Sequence, residues 1–457
     1  MAAEMLLARD GHEVTVLERD AEPVPESVDV AWSAWMRPGV AQFRQPHFLQ
    51  ARVRHVLDRE LSDVRDALLA AGAATVDPIA RLPAAIEDRR RRAGDDRFVS
   101  ITARRTTTEL VFARAAENEP GVTVHRGVEV AALEMHKVDG TPHLTGVRTS
   151  SGEALKADLT VDAMGRGSRL PQLLRGAGAA RVHEEAEDSG FIYYTRFFRS
   201  ADGACPEPRT PALVTPLGSI SILTLPSDCD TWSVTFFISS GDQPLKRLRF
   251  VDRWMAVVAA CPRHAHWLDG EPISDVLPMA GVLDRYRRLV ADGRPVATGL
   301  ALVGDSWACT NPSLARGLAL GLDHVARLRD TVRSRLEDPR EFAFVWDAVT
   351  EGEFTTWYRA TVATDRARLA EMEALRSGTE RPRADDVASA VRARFPTAAG
   401  RDPDLFRALM EIVGCLTLPA DVFARRGVAE RVLDLVSPDE LPQAPGPTRA
   451  ELLELVS

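Results

Sequence analysis

Residues 297–322 read Ala-Thr-Gly-Leu-Ala-Leu-Val-Gly-Asp-Ser-Trp-Ala-Cys-Thr-Asn-Pro-Ser-Leu-Ala-Arg-Gly-Leu-Ala-Leu-Gly-Leu. The apolar run up to Val303 suits a buried strand, and Gly304-Asp305 ends it. A loop carrying Pro312 follows, and small residues from Gly317 onward open a helix. A carboxylate directly after a glycine at a strand end can accept hydrogen bonds from a polyol. A helix N-terminus directs free N–H groups and a partial positive charge at electron-rich atoms nearby. The competing reading is an ordinary strand, loop and helix with no ligand, and Gly-Asp alone would not separate the two. Pro312 comes seven residues after Asp305, and Gly317 five after Pro312.

Outward from this stretch, the N-terminus carries the complementary half of the same architecture. Residues 2–9 read as a helix that Gly11 stops, and Val14-Thr15-Val16-Leu17 reads as a buried strand ending in Glu18-Arg19-Asp20. Helix, glycine, β-branched strand and terminal acid form the second half of a nucleotide-binding βαβ unit, in which that acid accepts hydrogen bonds from a ribose diol. The first half, a strand and a Gly-x-Gly-x-x-Gly turn, would let the backbone approach a pyrophosphate. Here the chain begins inside the helix. The expectation is a start site assigned too late, leaving the chain short by about 20–30 residues, the size of one strand and turn. A chain lacking its first segment, or a protein that dispenses with the turn and binds its cofactor weakly or not at all, are the alternatives.

The 297–322 stretch resembles the second flavin-contacting motif of the aromatic-hydroxylase-like FAD monooxygenases, the para-hydroxybenzoate hydroxylase superfamily. The resemblance implies that Gly304-Asp305 holds the ribityl chain of FAD and that Pro312 packs beside the isoalloxazine. It also implies that the helix opening at Gly317 and Leu318 faces the N1/C2 carbonyl edge. By the same resemblance Glu18 and Arg19 stand at the ribose, and Arg37, in Met36-Arg37-Pro-Gly-Val-Ala-Gln42, reaches the pyrophosphate. Arg105, in Arg104-Arg105-Thr-Thr-Thr-Glu-Leu, contacts ribose or pyrophosphate, and the backbone of Val130 lies against the adenine. Arginine suits both places because its planar fork grips phosphate oxygens bidentately. Gln42 and His47 fit a subset of the superfamily and fit equally well as a loop amide and imidazole. One motif departs from the family. In Asp162-Ala-Met164-Gly165-Arg-Gly-Ser168, Met164 stands where the family's Asp-Gly motif has its aspartate. Direct reduction by NAD(P)H is therefore set against supply by a separate flavin reductase. The halogenase Trp-x-Trp-x-Ile-Pro motif is absent, since Trp32-Ser-Ala-Trp35 does not match it.

Between these halves, Phe191–Phe198, Ser219–Leu225 and Thr231–Ile238 alternate as strands, the last two as a hairpin. In the superfamily such a sheet roofs the flavin. Tyr194 and Arg196 share one face at period two and are the candidate substrate contacts, against the bland reading of a structural tyrosine and a surface arginine. Residues 341–457 are helical in pattern, with breaks at 381–386 and 442–447, and are expected to cover the substrate domain or make a dimer contact.

The 457 residues carry 57 Lys+Arg against 66 Asp+Glu, net −9, which argues against a nucleic-acid binder, and 45% are hydrophobic, as a core-forming chain requires. The basic run Arg89–Arg92 beside Asp95 and Asp96 reads as a solvated face. Five scattered cysteines, an odd number with no Cys-x-x-Cys, argue against disulfides and a thiolate zinc site. No metal site is expected: His264 and His266 share a face only on a strand, and no third ligand is evident nearby. With no apolar run of membrane-spanning length and no signal architecture, the expected location is the cytoplasm, away from membranes.

The fold class is therefore α/β: a discontinuous Rossmann-type FAD-binding domain (1–175, N-terminally incomplete, and 291–340), an inserted β-rich substrate domain (176–290) and a helical C-terminal region (341–457). The resemblance implies an FAD-dependent monooxygenase, a hydroxylase or epoxidase using a flavin C4a-(hydro)peroxide and O2 on an apolar or aromatic small molecule of secondary metabolism. A flavin-dependent dehydrogenase or reductase, and a degenerate non-catalytic scaffold protein without tight FAD binding, are the alternatives. No catalytic acid or base is assigned.

Overall fold

The computed structural model describes residues 1–40, 42–209, 213–380, 386–437, 440 and 444–457. Of the predicted breaks, 381–385 and 442–443 lie outside these residues. The N-terminal helix is Ala2–Arg9, whose Met5, Leu6 and Leu7 are buried. The strand Val14–Glu18 follows and pairs in parallel with Val122–Arg126. The return strand Leu300–Leu302 pairs in parallel with Thr160–Asp162. These are two separate two-stranded sheets. The helices Ala2–Arg9, Ala51–Glu60 and Arg105–Glu117 and the 19-residue Gly317–Arg335 close over them. All share one apolar core that includes Leu7, Val53, Phe112, Leu300, Leu302, Leu322 and Leu328.

The second layer is a six-stranded sheet centred on Phe191–Arg199 and Thr231–Ser239, which pair antiparallel from Phe191↔Ser239 to Arg199↔Thr231. The expected hairpin is present, Ile220↔Ile238 through Pro226↔Trp232. Every residue of Thr231–Ser239 is buried, so the sheet is covered on both faces. One face packs on Trp254, Val257 and Val258 of the helix Val251–Ala259 and on Leu452 and Val456 near the C-terminus. That helix lies within a region expected to be strands. It is amphipathic at period 3.6, with the apolar side inward and Asp252 and Arg253 outward.

The opposite face meets the helix Thr355–Ser377, whose Met372 joins Phe191, Tyr193 and Phe237 in one cluster. Arg368 of this helix bonds the Gly218 and Ile220 carbonyls, both at 2.7 Å. Farther along, Val387–Ala399, Pro403–Val413 and Val428–Leu435 build their own small core around Val391, Phe395, Leu405, Val422 and Val432. The buried Arg407–Asp95 pair at 2.7 Å ties this unit to the 89–98 loop, where Arg90, Arg91 and Arg92 pair with aspartates at the surface. No helix among the described residues is long and apolar enough to cross a membrane.

Candidate cofactor and substrate site

The site begins where two parallel strands turn. Gly304, after the return strand, has φ +56°, and Gly165, after the partner strand, has φ +69°. These left-handed conformations cost glycine little and other residues more. The two turns bring Asp305 between Gly165 and the head of the long helix. A Cβ on Gly165 would stand 4.0 Å from Asp305 Cβ, and one on Gly317 would stand 3.9 Å from Asp305 Oδ1. The helix itself packs on the turn, since a Cβ on Gly321 would stand 3.6 Å from Gly304 Cα. Asp305 is half-buried; burial pushes its carboxyl up, and the guanidiniums of Arg105 and Arg166 oppose that shift. Gln42 and Cys309 also face this carboxyl.

Both turns are held from behind by Arg287, a residue the sequence reading missed. Its Nη1 donates to Ser306 O at 3.1 Å, its Nη2 to Ser168 O at 3.2 Å, and its Nε to Glu184 at 2.6 Å. Asp162 turns inward, accepting from Met164 N at 2.9 Å and from Ser168 Oγ, and burial raises its pKa. Met164, at the family's aspartate position, is exposed.

At the end of Val14–Glu18 stands an ionic hub. Arg37 donates to Glu18 at 2.6 Å, to Asp20 at 2.8 Å and to Glu109 at 3.0 Å. The guanidinium expected at a pyrophosphate is thus engaged by three carboxylates, one of which, Glu109, it shares with Arg105. Arg19 is exposed and covers Gly39, where a Cβ would meet its Nη2 at 2.7 Å. Val130 is half-buried at the head of Val130–Val138, opposite Thr149. Arg105, at the start of its helix, bonds Glu109 at 2.7 Å and His47 Nε2 at 3.0 Å. His47 Nδ1 lies 3.1 Å from Gln45 O, so the neutral ring donates there and accepts from Arg105. Burial and Arg105 push its pKa down to about 3. The preceding residue, Arg104, is fully buried and bonds Asp228, also fully buried, which lies in the turn between the two hairpin strands. Asp228 also accepts from Arg104 N at 2.6 Å and Thr107 Oγ1 at 2.8 Å, so the second layer grips the first turn of the helix that carries Arg105.

Pro312 and Gly317 are exposed and Leu318 is half-buried along the loop that leads into the long helix. Four segments anchor this loop. Asn311 N donates to Asp284 at 2.7 Å, Tyr193 OH donates to Asn311 Oδ1 at 2.6 Å, Ser313 bonds Asp365, and Gln50 Nε2 donates to Leu314 O at 3.1 Å.

This geometry corrects the expectation for Tyr194 and Arg196. They do share a face, but it is the one turned away from the loop. Tyr194 OH reaches Lys246 O at 3.3 Å, and its ring packs in the cluster of Trp254; Arg196 Nε donates to Ser274 O at 3.1 Å. The loop side presents Tyr193, Thr195 and Phe197, which meet Asn311, Gln45 and Trp32 respectively. Period two gave the two faces of this strand, and aromatic residues on both left no signal for which one is inward.

No family model matches the chain. Protein Rv3254 of Mycobacterium tuberculosis is 28% identical over 183 residues, which are 40% of this chain and 38% of that relative's length. Among solved structures, Pseudomonas aeruginosa PqsL, described as "a probable FAD-dependent monooxygenase", is similar at TM-score 0.57 and 17% identity, covering 81% of this chain and 95% of PqsL. The Diels-Alderase PyrE3 of pyrroindomycin biosynthesis is similar at TM-score 0.56 and 17% identity, covering 91% and 78%. OxyS anhydrotetracycline hydroxylase of Streptomyces rimosus follows at TM-score 0.52 and 18% identity, covering 91% and 73%. The chain is thus a mixed α/β protein similar in fold to FAD-dependent monooxygenases.

Proposed function

We propose that this chain is an FAD-dependent monooxygenase that hydroxylates or epoxidises an apolar or aromatic small molecule of secondary metabolism. The observation that carries the reading is the placement of Asp305 between the Gly165 turn and the N-terminus of the Gly317–Arg335 helix, with Pro312 on the connecting loop. A carboxylate in such a cradle accepts hydroxyl donors of a ribityl chain, and the free N–H groups at Gly317 and Leu318 suit the carbonyl edge of a flavin ring. Glu18 at its strand end suits a ribose diol, and Val130 the adenine. Arg105 suits a phosphate, with Arg37 joining it once the hub around Glu18 opens. Bound FAD would supply the electron transfer and oxygen activation.

The protein's own contribution is to exclude water and orient the substrate. Phe48, Val76 and Leu225, with Leu213, Leu223 and Ala315 against them, form an apolar cluster between the sheet and the Pro312 loop. Asp162 turned inward and Met164 exposed at the motif position favour a separate flavin reductase as electron source over direct NAD(P)H binding. The experiment supplies FAD, NADH and a flavin reductase with aromatic polyketide-like substrates under labelled O2. Incorporation of label into product is expected. Turnover under anaerobic conditions with an artificial electron acceptor would instead establish the dehydrogenase alternative.

A second reading draws on Arg37, whose donors already hold Glu18, Asp20 and Glu109. In that reading the same fold serves as a non-oxidative scaffold with weak FAD affinity; the similarity to a Diels-Alderase fits it.

A further inference from the structure

Two buried carboxyls lie beneath the loop that carries Pro312. Asp284, on the strand Leu283–Arg288, accepts the Asn311 N–H at 2.7 Å. Asp365, on the helix Thr355–Ser377, accepts from Ser313 Oγ, and its Oδ2 is buried with no hydrogen-bond partner. Asp284, Asn311, Arg316 and Asp365 are each less than a tenth exposed. The titratable groups that face Asp365 are Asp284 from the neighbouring strand, Tyr193 from the sheet and Arg316 from the loop; Asp284 is also faced by Glu187 and Asp188 of the adjacent strand and by Arg366, which pairs with Glu187 at the surface. Arg316 donates to Thr361 Oγ1 at 3.0 Å and stacks over Trp357 at 5.2 Å, and it is the cation of the group. Tyr193 stays a neutral phenol, its pKa pushed well up by burial and by both carboxyls. Among the buried groups, two acids against one guanidinium leave one uncompensated negative charge, and although the Asn311 amide faces Asp365, neither Asn311 Nδ2 nor Asp365 Oδ2 makes a hydrogen bond. One proton restores neutrality.

We infer that Asp284 and Asp365 hold a single proton between them beneath the Asn311–Ala315 segment, and that this proton fixes the segment and with it Pro312. Asp365 is then a positioning residue for the loop along which the flavin edge would lie. The charge argument stands without FAD; the role at the flavin edge rests on the function proposed above. Burial and Asp284 push the Asp365 carboxyl up to about 7, with Ser313, Asn311 and Arg316 opposing. A folded-state value above the unfolded one contributes stability at low pH that is lost as pH rises towards the folded value.

The test is thermal melting of the full chain without added flavin, between about pH 4.5 and pH 8.5, for wild type, Asp365→Asn and Asp284→Asn. Relative to Asp365→Asn, the wild-type Tm should fall with rising pH and level off near 7; Asp284→Asn should lower the midpoint of that fall by relieving the repulsion. Curves that stay parallel for wild type and Asp365→Asn overturn the shared proton. In FAD-loaded protein, the flavin absorption maxima should shift with the same midpoint in wild type and stay put in Asp365→Asn. Asp365→Ala should give shifted maxima at every pH, since only Asn keeps the neutral acceptor for Ser313. A wild-type spectrum unmoved by pH, with the melting midpoint intact, overturns the positioning role. A chain that binds no FAD yet shows the midpoint overturns the proposed function and with it that role, while the proton pair stands.

Discussion

Replacing Asp228 by Ala should unlatch the two layers at the point where Arg105 is set. Asp228 has no solvent exposure and accepts five hydrogen bonds from the opposite layer. Arg104 N donates at 2.6 Å, Arg104 Nε at 3.2 and 3.1 Å to the two oxygens, Arg104 Nη2 at 2.6 Å and Thr107 Oγ1 at 2.8 Å. Removing it leaves a fully buried guanidinium unpaired, and Arg104 Nη1 already lacks a partner. Breaking one side of a buried pair costs about 3–5 kcal/mol, so the loss should fall in that range. The assay is urea unfolding followed by tryptophan fluorescence, to which Trp32, 5.0 Å from the Arg104 guanidinium, contributes as one of eight tryptophans. The double replacement Arg104→Met with Asp228→Leu should recover part of the loss, because an apolar pair removes the uncompensated charge while the backbone N–H of residue 104 and the Thr107 hydroxyl stay without their acceptor. FAD affinity should fall in Asp228→Ala as the first turn of the Arg105 helix loosens. A loss below about 1 kcal/mol, the scale of an exposed ion pair, would refute the reasoning, as would a double variant no better than the single.

Asp305→Ala should weaken FAD binding by on the order of 10–100-fold, the worth of a hydrogen bond to a charged group, with little change in melting temperature; an unchanged Kd in a fluorescence titration removes Asp305 as a contact. Tyr193→Phe should cost about 1–3 kcal/mol by stranding the buried Asn311 oxygen. Tyr194→Phe should cost less, since its bond to Lys246 O is long at 3.3 Å. The reverse order in chemical unfolding would contradict the assignment of the two faces.

The return segment was legible because its information is local: an apolar run, a glycine that tolerates φ +56°, a proline and a small-residue helix lie within 26 consecutive residues. Glu18 at the end of its strand was legible for the same reason. The groups that assemble the site from a distance were not. Asp228 and Arg104 are 124 residues apart, and Arg287 holds residues 119 and 19 positions away; nothing in the neighbourhood of any of them marks the partner. Tyr193 was overlooked in favour of Tyr194 because the strand is buried on both faces, so alternation carries no in-or-out contrast. Arg37 was expected at a pyrophosphate, and its three carboxylate partners, residues 18, 20 and 109, are ones that only the tertiary fold brings together.

The central claim is that this fold holds FAD at Asp305. Its most direct measurement is the visible absorption of the purified full chain, before and after titration with FAD, with the flavin released on denaturation identified by chromatography. The account predicts a resolved flavin spectrum at about one FAD per chain, reached in Asp305→Ala only at on the order of 10–100-fold higher FAD. A folded, colourless chain that takes up no FAD across the titration would contradict it.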